Sequence, residues 1–160
     1  MLNYREIHKN YLVQYINQIQ FDGKNLPAFP RRTIAEDLPY IFITSAETEY
    51  VENDARSSMY DNHTYMRKLN YNLNLVYLIG ENVEEFEISE DSIDVLEQLI
   101  MDKFENQDVR NCMIANGVNP WTNLIFTRSS APLAGEEINL PAGHLVKVFF
   151  IEIWQLVPTT

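Results

Sequence analysis

The stretch LNYNLNLVYLI, residues Leu69–Ile79, decides the fold of this chain. Apolar or aromatic residues occupy its odd positions, whereas polar residues occupy the even positions from Lys68 to Asn74. Because side chains alternate between the two faces of a β-strand, this period of two predicts a long strand with one buried face. At Val76 and Leu78 the even positions also become apolar, so we expect something to cover the second face near the strand's end.

Helices are predicted on both sides of this strand. Apolar residues recur at helical spacing from Tyr4 to Ile19, and Asp22-Gly23 then supplies a stop signal. A second helix is expected at about residues 90 to 106, because apolar residues repeat from Ile93 to Phe104. Ser89 or Asp91 can cap its free amides.

Three more strands and an irregular arm complete the pattern. The strands are predicted at Tyr40–Thr44, Trp121–Arg128 and Leu145–Val157. Residues 25 to 39 contain three prolines, which allow an edge strand but not a central one. The sequence therefore predicts one α+β domain over residues 1–160: a small antiparallel or mixed sheet with two main helices on one face. Long loops are expected at 45–65 and 129–143.

Composition excludes several functional classes. The formal charge of −11 is opposite in sign to the basic surface that nucleic-acid binding needs. No apolar run approaches the roughly 20 residues that cross a bilayer, so we expect no membrane insertion. Cys112 is the single cysteine, which rules out an internal disulfide, and the start of the chain does not resemble a signal peptide. A reducing compartment is therefore expected.

No motif indicates an enzyme, a metal site or a cofactor. A glycine-rich phosphate loop is missing, and His8, His63 and His144 have no paired metal-ligand spacing. Cys112 lacks a nucleophile signature, and the acidic run 81–91 is typical of a solvated linker. We therefore predict no catalytic residue, no metal and no cofactor.

The two long loops suggest protein binding instead. Tyr50, Met59, Tyr60 and Tyr65 are residue types favoured at interfaces. The alternative, which the sequence leaves open, is that these side chains fold back over the domain's own core.

Several segments in this order resemble phage tail-terminator or tail-completion proteins. These are Leu38-Pro39-Tyr40-Ile41-Phe42, the strand Leu69–Ile79, the acidic entry to the helix at 89–106, and the closing strand Val146–Trp154. The likeness covers most of the chain, although the long loop 45–65 departs from the family pattern. The same element order also suits other neck proteins.

The resemblance implies a structural virion protein that assembles as a ring, usually hexameric. Such a ring caps the finished tail tube and joins it to the head, so its partners are copies of itself, the tail tube protein and the head-tail connector proteins. It implies a location in the virion tail or neck, and in the bacterial host cytoplasm during assembly. DNA would pass through the ring without specific binding.

Two hypotheses about the ring follow from the resemblance. An acidic lumen would repel DNA phosphates, and its candidate residues are Glu47, Glu49, Glu52, Asp54, Glu136 and Glu137. The proline-rich arm 25–37, with Phe29, Arg31 and Arg32, is a candidate for reaching the next subunit.

Three alternatives remain open. The first is another neck or head-tail connector protein. The second is a non-viral adaptor domain that binds a peptide at its sheet edge, and the third is an enzyme with a dispersed active site.

Overall fold

The computed structural model describes residues 3–50, 64–80, 87–112 and 119–158. The helices in these ranges are α1 (Tyr4–Ile16), α2 (Glu90–Glu105), α3 (Gln107–Asn111) and a 3₁₀ helix (Gly135–Ile138). The strands are β1 (Gln20–Phe21), β2 (Lys24–Asn25), β3 (Ala28–Phe29), β4 (Tyr40–Tyr50), β5 (Thr64–Ile79), β6 (Glu87–Ile88), β7 (Asn123–Ser129), β8 (Leu133–Ala134) and β9 (Leu145–Pro158).

The long strand predicted from the alternating pattern is the centre of the main sheet. The sheet has the order β3-β4-β5-β9-β7, and β5 pairs with the whole of β9, from Thr64 opposite Pro158 to Tyr77 opposite Leu145. Strands β4, β5, β9 and β7 are antiparallel, whereas β3 is parallel to β4 and β6 is parallel to β5. The sheet is therefore mixed, and the fold is α+β as predicted.

Helix α2 follows its sequence signals closely. The Ser89 side chain accepts a hydrogen bond from the Ser92 amide at 3.2 Å, which caps the start of the helix. Its apolar stripe is buried at Ile93, Leu96, Ile100 and Phe104. The prediction for residues 90 to 106 is confirmed.

Helix α1 ends earlier than the sequence pattern suggests. The helix stops at Ile16, and Asp22-Gly23 forms the turn between β1 and β2 rather than the helix end. Both turn residues have positive φ angles of 50° and 74°, the conformation that an Asp-Gly hairpin turn requires. Ile19 continues the apolar pattern because it is buried in the segment that links the helix to this hairpin.

The two faces of the sheet carry different layers. The odd-numbered side chains of β5 share one core cluster with α1 and α2, so the helices lie on one face. On the other face, Val76 belongs to a second cluster with Tyr40, Phe42 and Val146. The arm contributes Phe29 and Leu38 to that cluster, and the segment after β8 contributes Leu140. The expected cover over the end of the long strand is thus present.

The predicted loop at 45–65 is wrong at both ends. Strand β4 continues to Tyr50, and β5 begins at Thr64; residues 51–63 lie outside the described ranges. The last six residues of β4 are all exposed, so they have no apolar alternation by which a strand is recognised. Pairing with β5, from Thr48 opposite Leu69 to Tyr50 opposite Arg67, keeps them extended.

The predicted loop at 129–143 also contains regular structure. Ser129 still belongs to β7, and β8 and the 3₁₀ helix follow. Gly135 is packed closely here, because a Cβ atom at this position would lie 2.8 Å from the carbonyl oxygen of His144. The strand predicted to begin at Trp121 begins at Asn123. Trp121 is instead buried against α1, and its indole N–H donates a hydrogen bond to the carbonyl of Val109.

Candidate functional site

The predicted interface residues fall into three situations. Phe29 packs in the domain's own second cluster, with its ring 6.0 Å from that of Tyr40. Tyr50 is 52% exposed at the end of β4, and Tyr65 lies in β5 opposite Val157. Met59 and Tyr60 lie outside the described residues.

The arm offers a shorter exposed segment than the sequence suggests. Leu26 is buried and Phe29 is half-buried, so this part of the arm belongs to the core. Arg31 is exposed, and the Arg32 guanidinium donates a hydrogen bond to the carbonyl of Ile138. Ile34 is 59% exposed. The exposed residues of the arm are therefore Asn25, Arg31, Arg32, Ile34, Glu36 and Asp37.

The proposed lumen residues occupy separate elements. Glu47 and Glu49 are exposed near the end of β4, and Glu136 and Glu137 are exposed on the 3₁₀ helix. Glu52 and Asp54 lie outside the described residues.

The sheet divides into a closed end and an open end. The closed end, Tyr40–Thr44 with Leu73–Tyr77 and Leu145–Phe149, is covered on both faces by the two clusters. The open end comprises Ser45–Tyr50, Thr64–Asn72 and Phe150–Pro158. There α1 covers the odd-numbered face, but the even-numbered residues are only half-buried. These residues, which we call the open face, are Lys68, Asn70, Asn72, Phe150, Glu152 and Trp154.

A β-bulge held by Arg5 marks the junction of the two ends. The register between β4 and β5 shifts between Ser45 and Thr48. The Arg5 guanidinium donates to the Asn70 carbonyl at 2.7 Å, to the Ala46 carbonyl at 3.0 Å and to the Thr48 hydroxyl at 2.6 Å. Since a bulge leaves ladder groups unpaired, Arg5 supplies the donors that the partner strand cannot. The cation also lies 4.7 Å from the centre of the Tyr71 ring.

A charged network lies on the open face. The Lys68 ammonium is 2.9 Å from a Glu49 carboxylate oxygen and 3.7 Å from Glu152. The hydrogen bond from Lys68 lowers the pKa of Glu49, and the same bond raises the pKa of Lys68. Glu152 also accepts a hydrogen bond from the Trp154 indole N–H at 3.2 Å. The negative charges on this face are therefore partly compensated by its own lysine.

A groove crosses the open end of the sheet. Its volume is about 340 Å³, and residues from β4, β5, β9 and β7 line it. Glu47 on β4 lines one side of the groove and Arg128 on β7 lines the other. Asn72 and Phe150 lie between them, on the two central strands β5 and β9. Arg128 is exposed and its guanidinium lies 4.2 Å from the centre of the Phe150 ring. The groove joins opposite charges to an aromatic and amide surface, a mixture that suits protein contacts.

Both ring nitrogens of the buried histidine form hydrogen bonds within the fold. His8 is fully buried, with Nδ1 2.6 Å from the Tyr71 hydroxyl and Nε2 2.5 Å from the Pro120 carbonyl. The carbonyl can only accept, so Nε2 carries the proton and Nδ1 accepts from Tyr71. Burial lowers the pKa of His8 to about 4, and the ring is therefore neutral at pH 7.

The single thiol is also buried. Burial raises the pKa of Cys112 to about 11, so at neutral pH the thiol is protonated and a poor nucleophile. In the part of the chain that the structure describes, no group of three or more His, Cys, Asp or Glu side chains could hold a metal ion. Within the same ranges, no helix combines the length and apolar character needed to cross a membrane.

Sequence reasoning did not identify Arg5, Arg128 or Trp154 as site residues. Arg5 acts on residues 41 to 65 positions away, and no local pattern reveals such a contact. For Trp154 a signal existed, because Phe150, Glu152 and Trp154 share the even-numbered face of a predicted strand.

No protein-family model matches this chain, and no curated protein matches it. Function must therefore be inferred from the molecule itself.

Proposed function

We propose that this chain is a structural virion protein, a tail terminator that caps the tail tube and joins it to the head or its connector as a ring of subunits. The order of its elements, helix, arm, strand, long strand, helix and closing strands, is similar to that of the tail-terminator family. Other neck proteins share this order, so the terminator role is the more specific form of the proposal.

The observation that carries the proposal is the open end of the sheet. Six consecutive residues of β4 are exposed while the strand is paired on one side with β5. On the opposite side of the sheet, β7 pairs only with β9 among the described strands. Unpaired strand edges are natural sites for association with other chains. A subunit with two such edges suits a ring, in which each copy has two neighbours.

Capping would act through surface complementarity and needs no chemistry. One face of the ring would meet the last layer of tail tube protein, and the other would present a surface to the connector. The ring would block further addition of tube subunits because its own outer surface differs from theirs.

Solution mass and imaging test the proposal. Light scattering across a concentration series should show closed rings of six copies of 18.7 kDa, about 112 kDa, and negative-stain images should show a central hole. Mixing with purified tail tubes should place one ring at the tube end and stop elongation. A chain that neither forms rings nor binds tubes would overturn the proposal.

The acidic lumen belongs to the same proposal. Glu136 and Glu137 are the exposed carboxylates of this set best suited to test repulsion of phosphates, because Glu49 is paired with Lys68 and Glu47 lies on the β4 edge, in the groove that Arg128 also lines. Changing these two to Gln should slow DNA delivery by assembled particles without preventing ring assembly. A matched control neutralises two exposed carboxylates of α2, Asp91 and Asp94, and should leave delivery unchanged. Equal DNA delivery by both variants would remove the lumen hypothesis alone.

The second candidate is an adaptor domain that binds one peptide at its sheet edge. The exposed run of β4 favours it, because a free strand edge accepts an added peptide strand as readily as a second subunit. An adaptor would be monomeric or dimeric at all concentrations and indifferent to tail tubes.

A further inference from the structure

We propose that copies of this chain join by antiparallel pairing of the outer edge of β7 in one copy with the outer edge of β4 in the next, which from Ile43 to Glu49 pairs with no other described strand than β5. The inference rests on the ring proposed above and specifies which surfaces meet. The strand that pairs with each edge is expected to come from a second copy of this chain. Both edges belong to one sheet, but β5 and β9 lie between them, so they cannot pair with each other within one copy.

The two edges occupy the same positions along the strand direction. Asn123 pairs with Trp154, Trp154 with Lys68, and Lys68 with Glu49, so Asn123 and Glu49 are level with each other at the two edges. The same path places Ser129 level with Ile43. Strand β3 covers β4 only at Ile41 and Phe42, which is directly below this range. A rotation about an axis parallel to the strands, with little translation, therefore brings one free edge opposite the other.

The strand directions also agree with this pairing. Strands β4, β5, β9 and β7 alternate in direction, so the two outer strands of one copy are antiparallel. Repetition by rotation about an axis along the strands continues that alternation into the next copy. Antiparallel pairing is the slightly more stable kind per residue.

The edges differ in charge. Glu47 and Glu49 are exposed on β4, whereas Arg128 is exposed on β7. Pairing of unlike edges places Arg128 level with Thr44 of the next copy, three residues before Glu47, whereas Glu49 lies level with Asn123. Pairing of two β4 edges would instead bring carboxylates of the two copies close together, and like charges at an interface repel. The contact is therefore expected to be head-to-tail, the type that closes into rings.

The ends of the edges explain why such pairing is limited to one register. Beyond Phe126, β7 carries a bulge opposite β9, and β4 carries the bulge held by Arg5. Thr127 in the first bulge lies level with the segment Thr44–Ser45 at the start of the second. Two irregular edges fit each other in few ways, which opposes unlimited edge-to-edge aggregation.

Engineered cysteines test the contact directly. Ser45 and Thr127 are both exposed, and the native Cys112 is buried and poorly reactive. A chain carrying both S45C and T127C, treated with a short bismaleimide, should give a denaturant-resistant ladder that stops at the ring size. Each single variant should stay uncross-linked, and a mixture of the two should give dimers only. Efficient dimers from T127C alone would show that two β7 edges meet, and would overturn the inference.

A charge reversal gives the second measurement. R128E places a carboxylate level with Thr44, on the side of the β4 edge from which Glu47 follows three residues later, and should raise the concentration needed for ring assembly about tenfold or more. K24E, in the β1–β2 hairpin away from both edges, makes the same change in net charge and should leave assembly unchanged. Below the concentration at which rings form, both variants should keep the wild-type melting temperature. If wild-type rings form but neither the ladder nor the R128E effect appears, this inference fails and the proposed function stands. If no rings form and no tube is bound, the proposed function itself fails.

Discussion

The closed and open ends of the sheet are built from the same strands, yet they differ in what covers them. At the closed end, Leu73 and Val76 are both fully buried although they face opposite sides of β5. At the open end, Tyr71 is fully buried under α1, whereas its neighbours Asn70 and Asn72 are only half-buried. The closed end thus resembles the core of a three-layer domain, whereas the open end resembles a sheet with one solvent-exposed face.

The comparison separates stability from interaction within one domain. Apolar burial, which dominates folding free energy, is concentrated at the closed end and under the helices. The open end carries the exposed part of β4, which among the described strands pairs only with β5, and the network of Lys68, Glu49 and Glu152. Substitutions should therefore change either stability or association, depending on the end in which they lie.

The largest effect is expected from breaking the closed end. Leu73 is fully buried at the centre of the sheet, so Leu73→Ala leaves a cavity and should reduce the free energy of unfolding by about 2–5 kcal/mol. Urea denaturation of the monomer measures this loss. Ile34→Ala removes an aliphatic side chain that is 59% exposed and should cost no more than about 0.5 kcal/mol. Equal losses would contradict the division.

Acid should weaken the contact between α1 and the open end through His8. Its pKa is about 4 in the folded chain and 6.5 when unperturbed, so the unfolded state binds the proton more tightly. His8 therefore contributes no pH-dependent loss above pH 6.5, and stability falls as pH drops from 6.5 towards 4. At about 1.4 kcal/mol per pKa unit, the loss approaches about 3 kcal/mol.

The measurement is the difference in unfolding free energy between wild type and His8→Gln across this pH range. Taking the difference cancels the contributions of other titratable groups, which are the same in both proteins. The difference should shrink on acidification, because only the wild type pays for protonating this site. A difference that stays constant from pH 7 to 4 would show that His8 does not titrate as expected.

Arg5→Met should loosen the open end selectively. The variant keeps the aliphatic stem but removes charged hydrogen bonds to β4 and β5, with an expected cost of about 1–2 kcal/mol. Hydrogen exchange should show faster amide exchange in Ser45–Tyr50, with little change in Leu73–Tyr77. Uniform acceleration across both segments would mean that Arg5 stabilises the whole fold rather than the bulge.

The smallest effect is expected from the ion pair on the open face. Lys68→Met should have little effect on the free energy of unfolding, because Glu49 is exposed and solvent screens the pair. It should also return the pKa of Glu49 towards its ordinary value, which NMR titration of the carboxylate can follow. A large loss of stability would show that the network supports the fold.

Local sequence signals predicted the closed end well. Alternation identified β5, and a cap followed by a helical repeat identified α2. The apolar change at Val76 and Leu78 predicted the cover on the second face, and three prolines predicted the peripheral arm with its two-residue strand β3. In each case the residues that form the element also carry the pattern.

The open end could not be predicted in the same way. Ser45–Tyr50 have no buried face, so only pairing with β5 makes them a strand. The bulge is held by Arg5, which is far away in sequence, and the order of strands in a sheet depends on such distant contacts. Tyr50 and Glu47 were expected to belong to a loop, the first as a partner contact and the second as a lumen residue, whereas they lie on a strand edge. Both roles stay predictions.

The two tryptophans lie on opposite sides of this division. Trp121 is 1% exposed among the aromatic rings of α1, while Trp154 is half-buried on the open face, 5.6 Å from the Lys68 ammonium. Indole emission shifts with the polarity of its surroundings, so the chain carries two intrinsic optical reporters. Unfolding should shift the emission of Trp121 to longer wavelength, whereas a partner bound to the open face should shift that of Trp154 to shorter wavelength. A Trp154→Phe variant would then report on folding alone, with no added dye.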